Sequence, residues 1–573
     1  MVDSLALRDS DGDLLAAAVA RAWRDAPAPT YGKLAFDPVQ KRWIMTGIAP
    51  HVAIRLKRSF PRVPKTETAA FTFPATDEAC TDLAWFMQRY PLEMSAIDRA
   101  RLERGCLAFD RDRAAVERVL GADWQPTATM GFREGFVPHP NQARAIEVAR
   151  LRRRLLLMDD VGLGKTESAL GTIAAADSLP AAIVVQPHLA TQWAQRCKLR
   201  THLRPHVIEV TRPYPLPEAD VYIFRYSNVH GWVDVAATGK FRSVVYDEIQ
   251  ELRHGGLTEK GKACAVFSEH AELRLGLSAT PIYNQGAEIW DVMQFIEPGA
   301  LGSYNEFLRE WCGVKGVVTE PEALGTYLRE QHLVLREVRS GRPVNTIVRE
   351  VPYDEKVEAQ SAALARQLAL TVMRGTFVER GQAARELDLL LRQITGVAKA
   401  KHVAAFVRLL LEAGTPVVLA GWHREVYDIW LEELAEFKPV MYTGSETTKH
   451  KDEAKRAFCA GETDLFIISL RSGSGLDGLQ QRCSTVVIGE LDWSPQVHAQ
   501  LIGRVDRPGQ TAEECTAIYL HADGGSDPLM VSLLGLKASQ SAGIVDPLRG
   551  VATVYSDESR IRQLAEAYLS RAA

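Results

Sequence analysis

Short apolar runs that end in polar or glycine-rich turns recur in two blocks of the sequence, separated by longer stretches with helical periodicity. Such runs are typical of buried parallel strands, because helices cover both faces of a parallel sheet. The first block predicts strands at 153–160, 181–187, 220–226, 241–248 and 273–280. The second block predicts strands at 415–423, 439–444, 464–470, 484–490 and 516–522. We therefore expect an α/β protein with two lobes, each a parallel sheet flanked by helices.

The remaining sequence divides into two regions of different character. Residues 315–395 are charged and mostly helical in period, which predicts a helical bridge between the lobes. After a helical opening, the N-terminal region has alternating aromatic segments that predict a small β-rich domain. These segments are 30–47, 51–60 and 69–76. The expected parts are an N-terminal accessory domain, a first lobe, a bridge and a second lobe, at 1–125, 126–314, 315–395 and 396–573.

The composition is that of an ordinary globular protein, and it excludes several classes. The 68 Lys and Arg residues against 72 Asp and Glu residues leave a net charge of -4, which argues against coating nucleic acid by bulk charge but not against a local basic groove. The eight cysteines are scattered singly, which predicts reduced thiols in a cytoplasmic protein and no zinc site. No apolar run approaches the roughly 18 residues that a membrane crossing needs, and no export signal is present. We expect a monomer without a membrane partner.

A glycine-rich segment after the first predicted strand has the features of a phosphate-binding loop. It reads D-D-V-G-L-G-K-T over 159–166 and precedes a helical stretch. Gly162 and Gly164 let backbone N–H groups approach a phosphate, Lys165 supplies a positive charge, and Thr166 offers a hydroxyl to Mg²⁺. Asp159 stands where such loops usually have their first glycine. The alternative is a turn that only caps the following helix.

Two acidic residues end a later strand of the first block. Asp247 and Glu248 suit metal-assisted phosphoryl transfer, with Asp247 as the Mg²⁺ ligand and Glu248 orienting and deprotonating the attacking water. An acidic pair that only caps a helix is the alternative.

Two further segments carry candidate residues for the same chemistry. Ser278, Ala279 and Thr280 end another strand, where small hydroxyl residues suit a relay between the nucleotide site and a neighbouring lobe; a plain turn is the alternative. Arg504 and Arg507 lie three residues apart in the second lobe, and such guanidinium groups stabilise charge on a γ-phosphate. For the arginines the alternative is a solvated surface.

The ordered series of these segments resembles the motifs of superfamily-two helicase motors, and within them the Swi/Snf family of double-stranded-DNA translocases. The series is D-D-V-G-L-G-K-T, D-E-I-Q, S-A-T-P-I-Y-N and Q-L-I-G-R-V-D-R-P-G-Q. The segments I-T-G-V-A-K-A-K-H-V and G-E-L-D-W-S-P resemble the annealing-helicase, HARP-bearing branch and its bacterial and phage relatives. The resemblance covers about 130–520 and implies two RecA-like lobes that use ATP and Mg²⁺.

The resemblance also implies roles for individual residues. Gln142 would read the adenine, Asp477 would meet a ribose hydroxyl, and Gln250 with 278–280 would couple the nucleotide to DNA. Contacts to the DNA backbone, without base reading, would come from small, polar or basic groups at strand ends. These are His188, Gln192, Trp193, Tyr226, Ser227, Trp422, His423, Ser469 and Arg471.

The sequence departs from the family pattern in two places. Residues 471–479 read R-S-G-S-G-L-D-G-L where the family tends to G-G-L-G-x-N-L, so the motif is longer here. Residues 335–339 read L-R-E-V-R where relatives often carry L-R-R-x-K. The resemblance therefore assigns no firm role to Arg336.

A basic segment in the N-terminal region is a second candidate for DNA binding. Its basic residues lie within eleven positions, interleaved with Ile54 and Phe60 and preceded by Trp43. A basic, aromatic-flanked unit suits contact with duplex, forked or single-stranded DNA. The alternative is a solvated strand edge beside a packed tryptophan. The basic residues are Arg55, Lys57, Arg58, Arg62 and Lys65.

The leading hypothesis is an ATP-dependent motor that moves on duplex or forked DNA and remodels forks or anneals strands. A second hypothesis is an ATP-driven remodeller of a protein–nucleic-acid complex whose protein partner sets the substrate, such as a polymerase-recycling factor or an anti-phage motor. A third is a nucleotide-switched scaffold with little turnover, which the presence of Lys165, Glu248, Arg504 and Arg507 disfavours.

Overall fold

A computed structural model gives the structure of the chain over residues 29–126, 131–282, 286–313, 317–338, 344–374, 377–470, 476–507, 509–528 and 530. These residues fall into two compact units. The first is drawn from Met1–Arg118 and Asn305–Glu310, and the second from Val119–Tyr304 and Trp311–Ala573.

The first unit is built on a three-stranded antiparallel sheet with the strand order β1-β2-β3. Its strands are Lys33–Asp37 (β1), Arg42–Thr46 (β2) and Ala70–Pro74 (β3). The helices that begin in it are Pro50–Ser59 (α1), Asp77–Arg89 (α2) and Ala96–Leu120 (α3). Its core joins the sheet residues Trp43 and Phe71 to the helix residues Leu56, Leu83 and Phe86. The unit is therefore mixed α/β rather than mainly β.

The segment 51–60 was expected to be a strand and is a helix. Pro50 occupies the first turn of α1. The N–H groups of this turn have no acceptor within the helix, so a proline, which has no N–H, fits there. Val52 and Leu56 are four residues apart and both are fully buried, whereas Ile54 between them is 58% exposed. In a strand, positions 52, 54 and 56 would all lie on one face. In a helix, positions 52 and 56 share a face and position 54 lies on the opposite one, which is the burial pattern found here. Trp43 is 1% exposed, so this tryptophan packs in the core, and a DNA contact by the basic segment stays a prediction.

The first sheet of the second unit has seven parallel strands in the order β10-β4-β9-β8-β5-β7-β6. The strands are Arg154–Leu157 (β4), Ala181–Val185 (β5), Pro205–Val207 (β6), Val221–Arg225 (β7), Ser243–Asp247 (β8), Leu273–Leu277 (β9) and Val334–Leu335 (β10). The accompanying helices are Pro140–Arg152 (α4), Lys165–Ala175 (α5), Ala190–Arg200 (α6), Val233–Ala237 (α7), Glu259–His270 (α8), Glu288–Ile296 (α9) and Pro321–Glu330 (α11). The helix Tyr304–Trp311 (α10) belongs mostly to the first unit.

The second sheet has six parallel strands in the order β11-β16-β15-β12-β14-β13. The strands are Val344–Glu350 (β11), Val417–Gly421 (β12), Val440–Tyr442 (β13), Leu465–Ser469 (β14), Thr485–Ile488 (β15) and Cys515–His521 (β16). The helices are Glu355–Arg374 (α12), Phe377–Glu412 (α13), Arg424–Glu433 (α14), Thr448–Cys459 (α15) and Pro495–Ile502 (α16). The expected fold class, two parallel sheets flanked by helices, is confirmed.

The stretch predicted as a helical bridge contains two strands as well as helices. Val334–Leu335 joins the first sheet beside β4, and Val344–Glu350 forms an edge strand of the second sheet beside β16. The first of these strands has two residues and the second is mostly exposed, so neither shows the apolar run of a buried strand.

The parallel arrangement brings the carboxyl ends of several strands to one edge of each sheet. In the first sheet Leu277 is paired with both Leu157 and Asp247, so the chain leaves β4, β8 and β9 at the same edge. Binding sites of open α/β sheets lie at such edges. Among the helices of the described ranges, none has the length and apolar character that a membrane crossing requires.

Candidate active site

The glycine-rich segment forms the loop between β4 and α5. Gly162 and Gly164 have φ angles of +88° and +80°, which residues with a side chain rarely adopt. A Cβ atom on Gly164 would lie 2.1 Å from Nε2 of Gln142. The loop therefore needs glycine at this position for space as well as for conformation, which goes beyond what a simple helix cap demands.

Lys165 begins α5 and turns its ammonium group back over the loop. Its Nζ donates to the carbonyl oxygens of Asp159 at 2.6 Å and Asp160 at 3.1 Å. Burial lowers the pKa of Lys165, while the carboxylates of Glu248, Asp159 and Asp247 favour its charged form. Thr166 follows in the first turn of the helix and is half-buried. The ammonium group thus lies where a loop-bound phosphate needs a counter-charge.

Asp159 replaces the usual first glycine because its side chain serves a neighbouring strand end. It is 1% exposed, and its Oδ1 accepts the backbone N–H of Glu337 at 2.9 Å. Burial raises the pKa of Asp159 to about 6. Next to it, Asp160 Oδ1 accepts a bond of 2.7 Å from Arg336 Nη2, and Arg336 Nη1 donates to Met158 O at 2.5 Å. The departure from the family pattern put the brace contact of Arg336 in doubt, and the structure shows Arg336 bonded directly to the loop.

Gln142 packs against the same loop. Its Oε1 accepts the backbone N–H of His139 at 2.9 Å and its Nε2 donates to the Leu163 carbonyl at 3.2 Å. The side chain is buried, with 4% of its surface exposed. Its contact with adenine stays a prediction.

Asp247 and Glu248 end β8 as expected, and several side chains fix them. Trp193 Nε1 donates to Asp247 Oδ2 at 2.8 Å, and the Tyr226 hydroxyl donates to the Asp247 carbonyl at 2.9 Å. Gln250 Nε2 donates to Glu248 Oε2 at 2.5 Å. Burial and the adjacent Glu248 carboxylate raise the pKa of Asp247, whereas the indole N–H opposes the rise. This paired setting suits two different roles for the two carboxyl groups.

Glu248 has a φ angle of +50°, in the left-handed region. For a residue with a long side chain this conformation is strained, and such strain gathers at functional sites. The turn aims the Glu248 side chain toward the second lobe, because Gln500 Nε2 lies 3.5 Å from Glu248 Oε2.

The segment 278–280 connects this carboxylate pair with the second lobe. Ser278 is buried and its Oγ accepts the Thr280 N–H at 2.9 Å, with the half-buried Ala279 between them. Thr280 Oγ1 accepts from Gln500 Nε2 at 3.3 Å. Gln500 was not singled out from the sequence, although it begins the quoted segment Q-L-I-G-R. It gives a direct contact between the lobes at the candidate site.

Arg504 and Arg507 follow α16 and are both directed inward. Arg504 is 6% exposed, and burial together with Arg507 lowers its pKa to about 9, while the negative Glu248 opposes that shift. Arg507 Nη1 donates to the Leu476 carbonyl at 3.0 Å and lies 3.4 Å from Asp477 Oδ1. A solvated surface, the alternative for this pair, is excluded. The contact of Asp477 with ribose stays a prediction.

The residues present fit a nucleotide with Mg²⁺. Thr166 and Asp247 offer a hydroxyl and a carboxylate oxygen, and Lys165 offers the counter-charge for phosphate. Within the ranges described above, no group of three or more His, Cys, Asp or Glu side chains forms a metal cage. Mg²⁺ is usually held by one or two carboxylates together with substrate phosphates and water, so this sparse donor set suits it.

The residues predicted to contact DNA in the first lobe separate into two groups. His188 and Ser227 are exposed and Gln192 is half-buried, so these three can face a ligand. Trp193 and Tyr226 are 2% and 5% exposed and bond to Asp247 instead. Their polar groups are directed into the protein in this conformation, and the direct DNA contact of this pair stays a prediction.

In the second lobe Trp422 and Ser469 come together, because Gly421 of β12 is paired with Ser469 of β14. Both line a cavity of ≈ 300 Å³ together with Thr443, Gly444 and Ser445.

The neighbouring His423 is held away from this cavity's lining by a buried acid. His423 Nδ1 lies 2.6 Å from Glu490 Oε1, and Glu490 also accepts the Trp422 N–H at 2.6 Å. This glutamate was not predicted as a site residue, although it lies in the segment G-E-L-D-W-S-P. Arg471 lies outside the described residues.

The basic residues of the N-terminal unit also differ in availability. Lys57 Nζ donates to the Lys65 carbonyl at 2.7 Å, and Arg62 forms a 2.6 Å ion pair with Glu310. Arg55 and Arg58 are exposed on α1. Only the latter pair extends into solvent from the helix.

Two protein families match the chain in sequence. The SNF2-related domain matches residues 81–323, and the helicase conserved C-terminal domain matches residues 401–509. The matched segments contain the phosphate loop and the carboxylate pair in the first case, and the two arginines in the second.

Curated relatives are similar in sequence over about two thirds of this chain. The SWI/SNF-related matrix-associated actin-dependent regulator of chromatin subfamily A-like protein 1 of Xenopus tropicalis is 26% identical over 393 residues, which are 65% of this chain and 41% of the relative. The uncharacterized ATP-dependent helicase YqhH of Bacillus subtilis is 23% identical, covering 65% of this chain and 74% of its own. The human DNA annealing helicase and endonuclease ZRANB3 is 23% identical, covering 67% and 38%. The chain spans about half or less of the length of the first relatives named for chromatin regulation.

A solved structure, the Sulfolobus solfataricus SWI2/SNF2 ATPase core in complex with double-stranded DNA, aligns with 74% of this chain and 95% of its own at 20% identity. Its TM-score of 0.37 is too low for comparing individual residues. The two domain matches show that the chain carries an SNF2-related domain followed by a helicase conserved C-terminal domain.

Proposed function

We propose that the chain is a DNA-dependent ATPase that couples ATP hydrolysis to movement on duplex or forked DNA. The observation that carries the proposal is the convergence of charge at one edge of the first sheet. Lys165, Asp247 and Glu248 lie there, and Arg504 and Arg507 of the second lobe are close enough for Glu248 to influence their pKa. Hydrolysis that needs groups from both lobes depends on how the lobes are placed.

Each residue has a defined task in this proposal. Lys165 and the N-terminus of α5 bind the phosphates, and Thr166 with Asp247 holds Mg²⁺. Bound Mg²⁺ neutralises charge on the transferred phosphate. Glu248 orients the attacking water and accepts its proton, and Arg504 with Arg507 stabilises charge on the γ-phosphate.

The proposed substrate is the DNA backbone, and the proposed outcome is fork remodelling or strand annealing. Exposed His188 and Ser227, half-buried Gln192 and the cavity beside Trp422 and Ser469 are small or polar surfaces suited to phosphate contacts. One relative is named as a DNA annealing helicase, which favours annealing over processive unwinding.

The test is steady-state ATPase activity without DNA and with single-stranded, duplex or forked DNA. Lys165→Ala and Glu248→Gln should lower DNA-stimulated turnover by at least about a hundredfold, since each removes a group of the reaction itself. Lys262→Ala and Glu259→Gln change the same residue types in an exposed ion pair and should retain wild-type turnover. Turnover of the wild type that no DNA raises above its basal level would refute the proposal.

The exposed pair on α1 is proposed to add DNA contacts. Arg55→Ala with Arg58→Ala should weaken duplex binding and reduce the slope of log affinity against log salt by about 2. Arg104→Ala with Arg111→Ala removes the same charge from α3 of the same unit and should leave the slope unchanged. Equal slopes for both double variants would contradict a DNA contact by α1.

A further inference from the structure

Two buried aromatic side chains hold Asp247 from different elements. Trp193, on α6, donates its indole N–H to the Asp247 carboxylate at 2.8 Å. Tyr226, which follows β7, donates its hydroxyl to the Asp247 main-chain carbonyl at 2.9 Å. One bond therefore sets the rotation of the carboxylate and the other sets the position of its backbone.

Neither bond has an easy substitute. The indole N–H can only donate a hydrogen bond. Because Trp193 is 2% exposed, water cannot replace the Asp247 carboxylate as the acceptor. A hydrogen bond to a carboxylate is stronger than one between neutral groups. Any displacement of Trp193 therefore changes the setting of Asp247 rather than being taken up by solvent.

Each aromatic residue is the direct chain neighbour of a residue that faces outward. Gln192 precedes Trp193 and is half-buried, and Ser227 follows Tyr226 and is exposed. Both outward residues are candidates for the DNA backbone. A shift of either one along the main chain moves the adjacent aromatic group, because a peptide unit is rigid and Cα atoms stay 3.8 Å apart.

We propose that Trp193 and Tyr226 are positioning residues that fix Asp247 and make its setting depend on DNA held by the adjacent Gln192 and Ser227. The inference rests on the proposed function of the chain as a DNA-dependent ATPase. DNA held by Gln192 and Ser227 and Mg²⁺–nucleotide held at Asp247 then act on the same two hydrogen bonds. The two ligands are thermodynamically coupled through them, so each changes the affinity of the other by one common factor.

The experiment measures that factor at equilibrium, without turnover. The dissociation constant of a duplex is determined with and without Mg²⁺ and a non-hydrolysable ATP analogue, and the ratio is the coupling factor. Trp193→Phe and Tyr226→Phe keep the aromatic ring and delete the bond. Each substitution should change the coupling factor by at least about fivefold in the direction of one. This is the size expected when a hydrogen bond that involves a charged or buried group is lost.

Two matched controls delete similar bonds elsewhere in the first lobe. The Trp232 indole is fully buried and donates to the Val210 carbonyl at 3.0 Å, and the buried Tyr222 hydroxyl donates to the Pro217 carbonyl at 2.7 Å. Trp232→Phe and Tyr222→Phe should lose as much thermal stability as the test variants and keep the wild-type ratio. A role in packing alone would affect all four variants equally.

A second readout addresses the carboxylate itself. Trp193→Phe should raise the Mg²⁺ concentration needed for half-maximal binding of a fluorescent ATP analogue by roughly tenfold, because the carboxylate is no longer held. Trp232→Phe should leave that concentration unchanged.

The outcomes separate this inference from the proposed function. If DNA stimulates wild-type ATPase but the test and control variants share one coupling factor, the inference is overturned and the proposed function stands. A wild-type ratio of one overturns it as well. If DNA does not stimulate the wild type at all, the proposed function fails and this inference fails with it.

Discussion

The brace that Arg336 gives to the phosphate loop can be tested by removing it. In Arg336→Ala the two bonds to Met158 O and Asp160 Oδ1 disappear together. The Arg336 side chain is 7% exposed and that of Asp160 is 31% exposed, so water can reach the carboxylate but not the guanidinium site. The loss should therefore lie between that of a surface pair and that of a fully buried one.

The magnitude follows from these exposures. Breaking a buried ion pair costs about 3–5 kcal/mol, and a hydrogen bond to a charged group contributes about 1.5–3 kcal/mol. With one partner partly solvated, we expect about 2–3 kcal/mol for local opening of the loop. The pair Arg242–Glu272 has similar two-point geometry at 2.9 Å, but its side chains are 45% and 47% exposed. Water screens an exposed pair of this kind, so its removal should have little effect on stability.

Native-state hydrogen exchange measures that opening directly. The Met158 and Asp160 amides bond to the carbonyls of Leu335 and Glu337, so they exchange when the loop separates from this strand. In Arg336→Ala their exchange should accelerate by about a hundredfold, since each 1.4 kcal/mol is a factor of ten. Arg242→Ala should change it by less than about fivefold. Exchange in Arg336→Ala that stays within about threefold of the wild type would refute the brace.

Three further predictions concern the second lobe. Burial lowers the pKa of His498 from 6.5 to about 4, so the unfolded chain binds more protons than the folded chain between these pH values. The free energy of unfolding should therefore fall by up to about 3 kcal/mol as the pH drops from 6.5 to 4. The melting midpoints of the wild type and of His498→Leu should converge at low pH, and parallel curves of melting midpoint against pH would contradict this. Lys399→Ala leaves Asp527, 2.6 Å from the lysine in the native chain and 3% exposed, without its partner; the free energy of unfolding should fall by about 3–5 kcal/mol in urea titrations, and a loss below about 1 kcal/mol would show that the pair is dispensable. Gln500→Ala should lower kcat of the DNA-stimulated ATPase about fivefold with little change in KM, and an unchanged kcat would remove Gln500 from the site.

The buried strands were the most predictable part of the fold. Every apolar run named from the sequence contains a strand of the expected sheet, because full burial on both faces leaves a continuous apolar signal. The strands that were missed lack this signal. Val334–Leu335 is only two residues long, and Val344–Glu350 is an exposed edge whose place is set by pairing with β16.

The candidate site was predictable where a residue of narrow chemical use lies in, or next to, the turn that follows a strand. Lys165, Asp247 and Glu248 belong to this class. The bonds of Trp193 and Tyr226 to Asp247 were not predicted, because a motif gives the position of a residue along the chain and not the direction of its side chain. Asp159 likewise departs from the glycine rule for a reason outside its own segment, the N–H of Glu337, almost 180 residues away.

The two strands on either side of the missed connection set a limit on how far the lobes can part. Leu335 ends a strand of the first sheet and Val344 begins a strand of the second, with eight residues, 336–343, between them. A fully extended chain of this length reaches roughly 30 Å. Arg336 directly follows Leu335 and is bonded to Met158 and Asp160 of the phosphate loop. If the two strands moved apart to that limit, the force would act directly on the residue that braces the phosphate loop.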